Sequence, residues 1–247
     1  IPLRLVGSEM CIRDSQLHYI ANRSEEVINF NDQKEMASRL GYEDRKGLMG
    51  VERFMRHYFL IAKEVGDLTR SICSILEERQ KKSVPVISKA ISFLYAKNLD
   101  GFIVTSGRIN VPSDSFFAED PLNILRLFYF SSEQNLLIHP NAVKILRKSL
   151  GLVNVKLRSN IEANDLFLKI LLSKKNAEST LRAMNESGVL GRFILDFGKI
   201  VGLMQFNMYH HFTADEHLLR AIGELNKLFY SSKASAVSYT HLRAHET

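Results

Sequence analysis

The segment "MYHHFTADEH" (208–217) gathers His210, His211, Asp215, Glu216 and His217 within eight positions. Imidazole nitrogens and carboxylate oxygens are the usual ligands of divalent metals in hydrolytic sites, where the metal lowers the pKa of a bound water. A second pair, His241 and His245, stands four apart in "THLRAHET". On a helix that spacing puts both rings on one face. A zinc protease also needs a glutamate directly after the first histidine as general base, and Leu242 holds that position. The first segment has a structural reading too. Thr213 to Glu216 spells T-x-x-E, a capping box, with Phe212 ahead of it as a hydrophobic staple. The helix that follows is expected to bury Leu218, Leu219, Ile222 and Leu225. His217 falls in its first turn, and Arg220 and Ala221, at i+3 and i+4, are not ligands. The segment alone therefore cannot enclose a metal. Its spacing leaves two readings: one ligand of a site completed elsewhere, or a core histidine, with the second favoured.

The elements that must position these residues are mostly helical. In "VERFMRHYFLIAKEVGDLTRSICSILEER" apolar residues recur at 51, 55, 58, 61, 65, 68, 72 and 75. Steps of three and four predict a helix of about eight turns with one buried stripe. Gly66 inside it costs about 1 kcal/mol against alanine, so close packing is expected there, and Cys73 is expected to be a buried structural thiol. A shorter helix precedes it in "NDQKEMASRLGY", capped by Asn31 or Asp32 and stopped by Gly41. "VPVISKAISFLYAKN" predicts another. The period then changes in "GFIVTSGRINV", two β-rich runs around Ser106-Gly107 that predict a hairpin. Helices resume in "DPLNILRLFYF", with Asp120 as N-cap and Pro121 in the first turn, and in "HPNAVKILRKSLG", where Pro140 plays the same part and Gly151 the stop. "IEANDLFLKILLSKK", "AESTLRAMNESG" and "GRFILDFGKIVGLM" complete an all-α chain with one small β-hairpin and no internal repeat.

The chain has 247 residues, 45% of them hydrophobic and 24% charged, with two cysteines and no tryptophan. That is enough for a real core, and too few cysteines for a disulfide framework. No apolar run reaches the roughly 18 residues of a membrane span, and nothing at the start reads as a signal peptide. A soluble cytoplasmic protein is expected. The net charge of +6 comes from basic residues that mostly alternate with acids. The one dense run, "EERQKK" at 77–82, suits the end of a helix, where cations complement the dipole. With no stacking aromatics beside it, nucleic acid is not the expected partner.

Both ends resemble translated sequencing-adapter read-through, a kind of peptide that recurs on unrelated metagenomic reading frames. The segments are 1–15, ending in "EMCIRDS", and 236–247, "AVSYTHLRAHET". Setting them aside removes His241, His245 and Cys11 from consideration and leaves the net charge at +6.

Between them, "LHYIANRSEEVINFNDQKEMASRLGY", "GVERFMRHYFLIAKEVGDLT" and "SGVLGRFILDFGKIVGLMQFNMYHHFTADEHLLRAIG" closely resemble, in content and order, one family. It is that of the bacterial bifunctional uridylyltransferase/uridylyl-removing enzymes, which modify the PII nitrogen-signalling protein, and the likeness is nearest to alphaproteobacterial members. The resemblance implies UMP transfer from UTP to PII, hydrolytic UMP removal, and Mg²⁺ or Mn²⁺ as cofactor. It implies a helical region over 16–82, following a nucleotidyltransferase domain whose own signature should precede residue 16. A helical linker over 83–205 with the hairpin at 102–111 follows, then the start of an HD phosphohydrolase domain over 206–235. The family's first HD metal ligand lies in a segment like "YTVDEH", which places His217 in that role; His210 matches a further family histidine. The His-Asp pair itself should lie beyond Glu224. On this reading no complete catalytic set lies within the chain, and the segment itself is expected to be inactive.

A weaker resemblance covers 119–190. "EDPLNILRLFYF" followed by "IHPNAVKILRKSL" looks like the neck of tRNA nucleotidyltransferases, where a D-x-x-R-x-x-R-like pattern contacts the incoming base. Asp120 and Arg126 keep that pattern, and Asn123 stands in place of its middle arginine. The competing expectation is plain: Asp120 as an N-cap and Arg126 as an ion-pairing residue. Two other functions remain open beside the leading one, a non-catalytic helical scaffold and a tRNA-nucleotidyltransferase-like body.

Overall fold

The computed structural model of the chain describes residues 14–80, 99–105, 107–174, 176–206 and 212–230. His210, His211, His241, His245, Cys11, both terminal segments apart from Asp14 and Ser15, and the helix expected from "VPVISKAISFLYAKN" before Leu99 lie outside the described residues. The chain divides into two compact units, one of residues 1–66 with 200–215, the other of 67–199 with 216–247.

The first unit is built on α1 (Phe30–Arg39) and the opening turns of α2 (Gly50–Gln80). Helix α1 starts two or three residues earlier than its expected caps, after Asn29, and Gly41 with φ +75° follows its end. Met36 and Ala37 of α1 pack with Val51, Phe54 and Met55 of α2 and with Leu17 and Met204. Gly50 is required where it stands, because a Cβ there would lie 2.2 Å from the Tyr42 carbonyl oxygen. The returning segment is tied to α2 by Phe206 N–H donating to Glu52 (3.2 Å) and by Arg56 Nε donating to the Val201 carbonyl (3.3 Å). Phe206 also stacks on Phe30 at 4.5 Å.

The apolar period of α2 is present, but its burial is not uniform. Val51 and Met55 are buried, whereas Val65, Leu68 and Ile72 are 36%, 56% and 49% exposed. Cys73 is exposed, contrary to the buried thiol expected. Among the described residues a Cβ on Gly66 would meet nothing within 4 Å, so the close packing expected there is not seen. Periodicity fixes which residues share a face; it does not say whether another element covers the face along its whole length.

The second unit holds the larger core. Strands β1 (Ile103–Thr105) and β2 (Arg108–Asn110) form the expected antiparallel hairpin, and β3 (Leu137–Ile138) adds a parallel strand to β2 that the sequence did not suggest. Around the sheet run α3 (Phe116–Glu119), α4 (Asn123–Glu133), α5 (Pro140–Lys148), α6 (Val155–Arg158), α7 (Ile161–Leu171), α8 (Ala177–Glu186), α9 (Val189–Phe193), α10 (Leu195–Ile200) and α11 (Ala214–Tyr230). Phe102, Ile109, Phe117, Ile124, Leu127 and Phe128 sit at the centre of the core, with Leu181 of α8 and Leu219 of α11. Pro140 occupies the first turn of α5 as expected, behind an N-cap that is His139: its Nδ1 accepts from the Asn141 amide at 3.1 Å. Gly151 is not the stop of α5, which ends at Ser149; it lies inside a short 3₁₀ turn, Leu150–Leu152. The single helix expected over "GRFILDFGKIVGLM" is broken at Ile194, whose backbone is extended (φ −105°, ψ 98°). The chain is thus mostly helical with a small three-stranded sheet, and no described helix is long and apolar enough to cross a membrane.

Candidate functional site

Asp120 and Arg126 come together. The Arg126 guanidinium donates to Asp120 Oδ2 at 2.9 Å, to Asn123 Oδ1 at 3.1 Å and to Glu162 Oε1 at 2.8 Å, and Asp100 lies 3.9 Å from its Nε. Four segments therefore meet on one cation: the turn before β1, the residue after α3, the first turn of α4 and the first turn of α7. The side chain is 21% exposed. Burial alone would lower its pKa; the hydrogen bond and charge of Glu162, with Asp120 and Asp100 behind it, reverse that and raise it. Asn123 fits its position because it is neutral and bifunctional. It is buried, its amide nitrogen donates to the Phe116 carbonyl at 3.4 Å, and its oxygen serves Arg126. A second guanidinium group there would have to be buried beside that of Arg126.

Asp120 caps the turn that leads into α4 and not α4 itself, whose N-cap residue lies two positions further on. Its Oδ1 accepts from the Leu122 amide at 3.0 Å, and α4 proper begins at Asn123 with Leu122 as its N-cap residue. That i to i+2 bond is the usual reach of a capping aspartate, and Pro121 between them has no N–H that would go unsatisfied. Asp100 and Glu162 were not singled out from the sequence. No local pattern links them to Arg126, since Glu162 is 36 residues away.

His217 lies in the first turn of α11 and is exposed, as are Leu218 (46%) and Leu225 (49%). Of the four residues expected inside, Leu219 is fully buried and Ile222 partly so. His217 itself is exposed rather than part of the core of the described residues. The carboxylates on either side are engaged. Asp215 is buried, and its Oδ1 accepts from the Gly202 amide at 3.1 Å. Glu216 takes Arg182 on one oxygen at 2.5 Å and Arg220 on the other at 3.0 Å, so its carboxylate serves two cations. Partial burial raises the Glu216 pKa, and the two arginines overcome this and hold it below the ordinary glutamate value. Arg182 is raised in turn by Glu216, against partial desolvation and with further help from Glu178 at 2.9 Å. Among the described residues no three histidine, cysteine or carboxylate groups come together as a metal site. Any metal site that included His217 would have to draw its further donors from outside the described residues.

Comparison with known proteins agrees with the resemblance read from the sequence. One family model, described as "GlnD PII-uridylyltransferase", matches residues 13–73, and a second, "Uridylyltransferase GlnD third domain", matches 102–193. Among curated proteins, one from Bradyrhizobium diazoefficiens named "Bifunctional uridylyltransferase/uridylyl-removing enzyme" is 50% identical over 219 residues, covering 86% of this chain and 24% of that protein. A protein of the same name from Nitrobacter winogradskyi is 49% identical over 218 residues, again 86% of this chain and 24% of its own length. The chain thus spans about a quarter of the length of the curated relatives it matches. No solved structure matches it significantly.

Proposed function

We propose, for a chain whose kinship with the bifunctional uridylyltransferase/uridylyl-removing enzymes rests on 50% identity across 86% of its length, that it is the middle of such an enzyme. The complete protein transfers UMP from UTP to PII and removes it by hydrolysis, with Mg²⁺ or Mn²⁺, in the cytoplasm. The chain supplies the helical body between the two chemistries. It also supplies His217, the first ligand of the metal in the HD phosphohydrolase domain, and by itself it catalyses neither reaction. The observation that carries this reading is the breadth of the kinship against its share of the relatives' length. Support for His217 comes from its position: an exposed imidazole in the first turn of a helix whose neighbours Asp215 and Glu216 are tied down by Gly202, Arg182 and Arg220. A ligand needs to project from a rigid element held by its surroundings. When bound there, the metal would supply an activated water.

A base contact by Asp120 and Arg126 is the weaker reading, because a nucleotide would have to compete with three carboxylates for Arg126. The Arg126 neighbourhood is better explained as the scaffold that joins four segments.

The experiment is a chimera. Residues 16–235 replace the corresponding segment of the Bradyrhizobium diazoefficiens relative, and the chimera is assayed with UTP, PII and Mg²⁺, and with uridylylated PII and Mn²⁺. Both activities are expected in the chimera, and neither in the isolated 247-residue chain. A folded chimera without either activity, or turnover by the isolated chain above a protein-free control, would contradict the reading.

A further inference from the structure

A cavity of about 360 Å³ lies in the second unit, and Asp120, Arg126 and His217 take no part in its lining. Its walls are mainly hydrocarbon, with Phe128 of α4, Leu136, and Val143 and Leu146 of α5 among them. Arg70, Arg108 and Arg147 also line it, and none of them is without a partner. Four residues with hydroxyl groups line it as well, and three of these groups are used within the fold. Ser131 donates to the Leu136 carbonyl at 2.6 Å, Ser179 to the Asn176 carbonyl at 3.0 Å and Ser187 to the Met184 carbonyl at 3.0 Å. No hydrogen bond joins the fourth hydroxyl, that of Thr180 in α8, to any described residue.

A helical threonine ordinarily bonds the carbonyl four residues back. Here that carbonyl belongs to Asn176, and it already accepts from the Thr180 amide at 2.9 Å and from the Ser179 hydroxyl. Both of its lone pairs are taken. Thr180 is only 6% exposed, yet its Oγ1 is not sealed inside the protein. Among the described residues the one enclosed side-chain oxygen or nitrogen without a partner is Gln33 Oε1. The Thr180 hydroxyl therefore opens on the cavity. Valine has the same shape and no hydroxyl to leave unsatisfied, so a position needed only for packing gains nothing from threonine. A small ligand does gain: hydrocarbon walls bury its body, and one polar group fixes its orientation. A volume near the lower end of small-molecule sites fits a compact body of one or two rings. We infer that this cavity binds a small, mainly apolar ring compound, oriented by a hydrogen bond to the Thr180 hydroxyl. The inference does not depend on the uridylyl chemistry proposed above, and none of its residues is assigned a part in it.

Two probes with one body separate the hydrogen bond from the apolar contact: 2-naphthol and naphthalene, each titrated into the full 247-residue chain. The chain has no tryptophan, so naphthyl emission is read without indole background. Both are expected to bind at one saturable site. Thr180→Val should weaken 2-naphthol by about fivefold, the loss of one hydrogen bond, and leave naphthalene within about twofold. Its melting temperature should be unchanged or higher, because the substitution keeps the shape and removes an unsatisfied hydroxyl. Ala183→Leu adds bulk to the lining one turn along α8 and should abolish binding of both probes. If that variant fails to fold, Thr180→Val still decides. The absence of saturable 2-naphthol binding would mean a water-filled cavity only and overturns the inference. So does a Thr180→Val change that is nil for 2-naphthol or equal for the two probes, or undiminished binding of both in folded Ala183→Leu.

Discussion

Arg126 and His217 both stand at positions where the family likeness suggests chemistry, yet the fold treats them in opposite ways. At Arg126 the functional-looking side chain is itself used by the fold: Asp120, Asn123 and Glu162 accept its hydrogen bonds, and Asp100 adds a further charge. At His217 the neighbouring carboxylates are engaged, Asp215 by the Gly202 amide and Glu216 by Arg182 and Arg220, and the imidazole is exposed. A residue spent on joining segments should report on stability when it is changed. A residue whose surroundings are fixed around it should report on function alone.

The largest effect is expected at the first of these. Arg126→Ala leaves Asp100, Asp120 and Glu162 without their shared cation, and should lower unfolding free energy by roughly 1–3 kcal/mol in urea titration. Unchanged stability would mean that solvent already screens these pairs, and the contrast between the two regions would collapse.

Acid should act on the second region through Glu216. The Glu216 pKa is lower folded than unfolded, so the unfolded chain binds its proton first as pH falls. The stability it contributes is complete above the ordinary glutamate value of about 4.3 and is lost as pH falls from there through the depressed folded pKa. Glu216→Gln should flatten the fall of melting temperature between about pH 5 and pH 3. The same slope in both proteins would show that the Arg182 and Arg220 pairs carry no net stability.

Gly66 belongs to neither neighbourhood and sets the scale of a change that touches nothing. With no atom within 4 Å of a new Cβ, Gly66→Ala should stabilise by about 0.5–1 kcal/mol through helix propensity alone. A loss of stability there would reveal a contact on that face of α2.

Most helices and the hairpin were legible in the sequence because they are local, although several caps lie a few residues from where they were expected. Pro140 announces the first turn of α5, Gly41 follows α1, and the runs around Ser106-Gly107 pair as β1 and β2. What failed depends on distant partners. Strand β3 is two residues long, too short for any period, and exists because Leu137 and Ile138 meet β2. Cys73, Leu68 and Ile72 keep the helical period of α2 while lying exposed, since a period says nothing of what covers a face. At the candidate sites the family likeness picked out His217, Asp120 and Arg126, but their roles in the fold were set by Glu162, Asp100 and Arg182, which no spacing connects to them. His217 itself shows the limit of spacing: its apolar neighbours favoured a core histidine, and Leu218 beside it is exposed as well.

The most direct test is His217→Ala in the chimera, with transfer, removal and melting temperature measured on one preparation. Loss of a metal ligand should reduce UMP removal on the order of a hundredfold or more. An exposed position away from the core should leave the melting temperature within about a degree or two, and UMP transfer close to the unsubstituted chimera. Removal that persists at the unsubstituted rate, or transfer and removal that fall together with the melting temperature, would contradict the assignment of His217 as a metal ligand held by a rigid helix start.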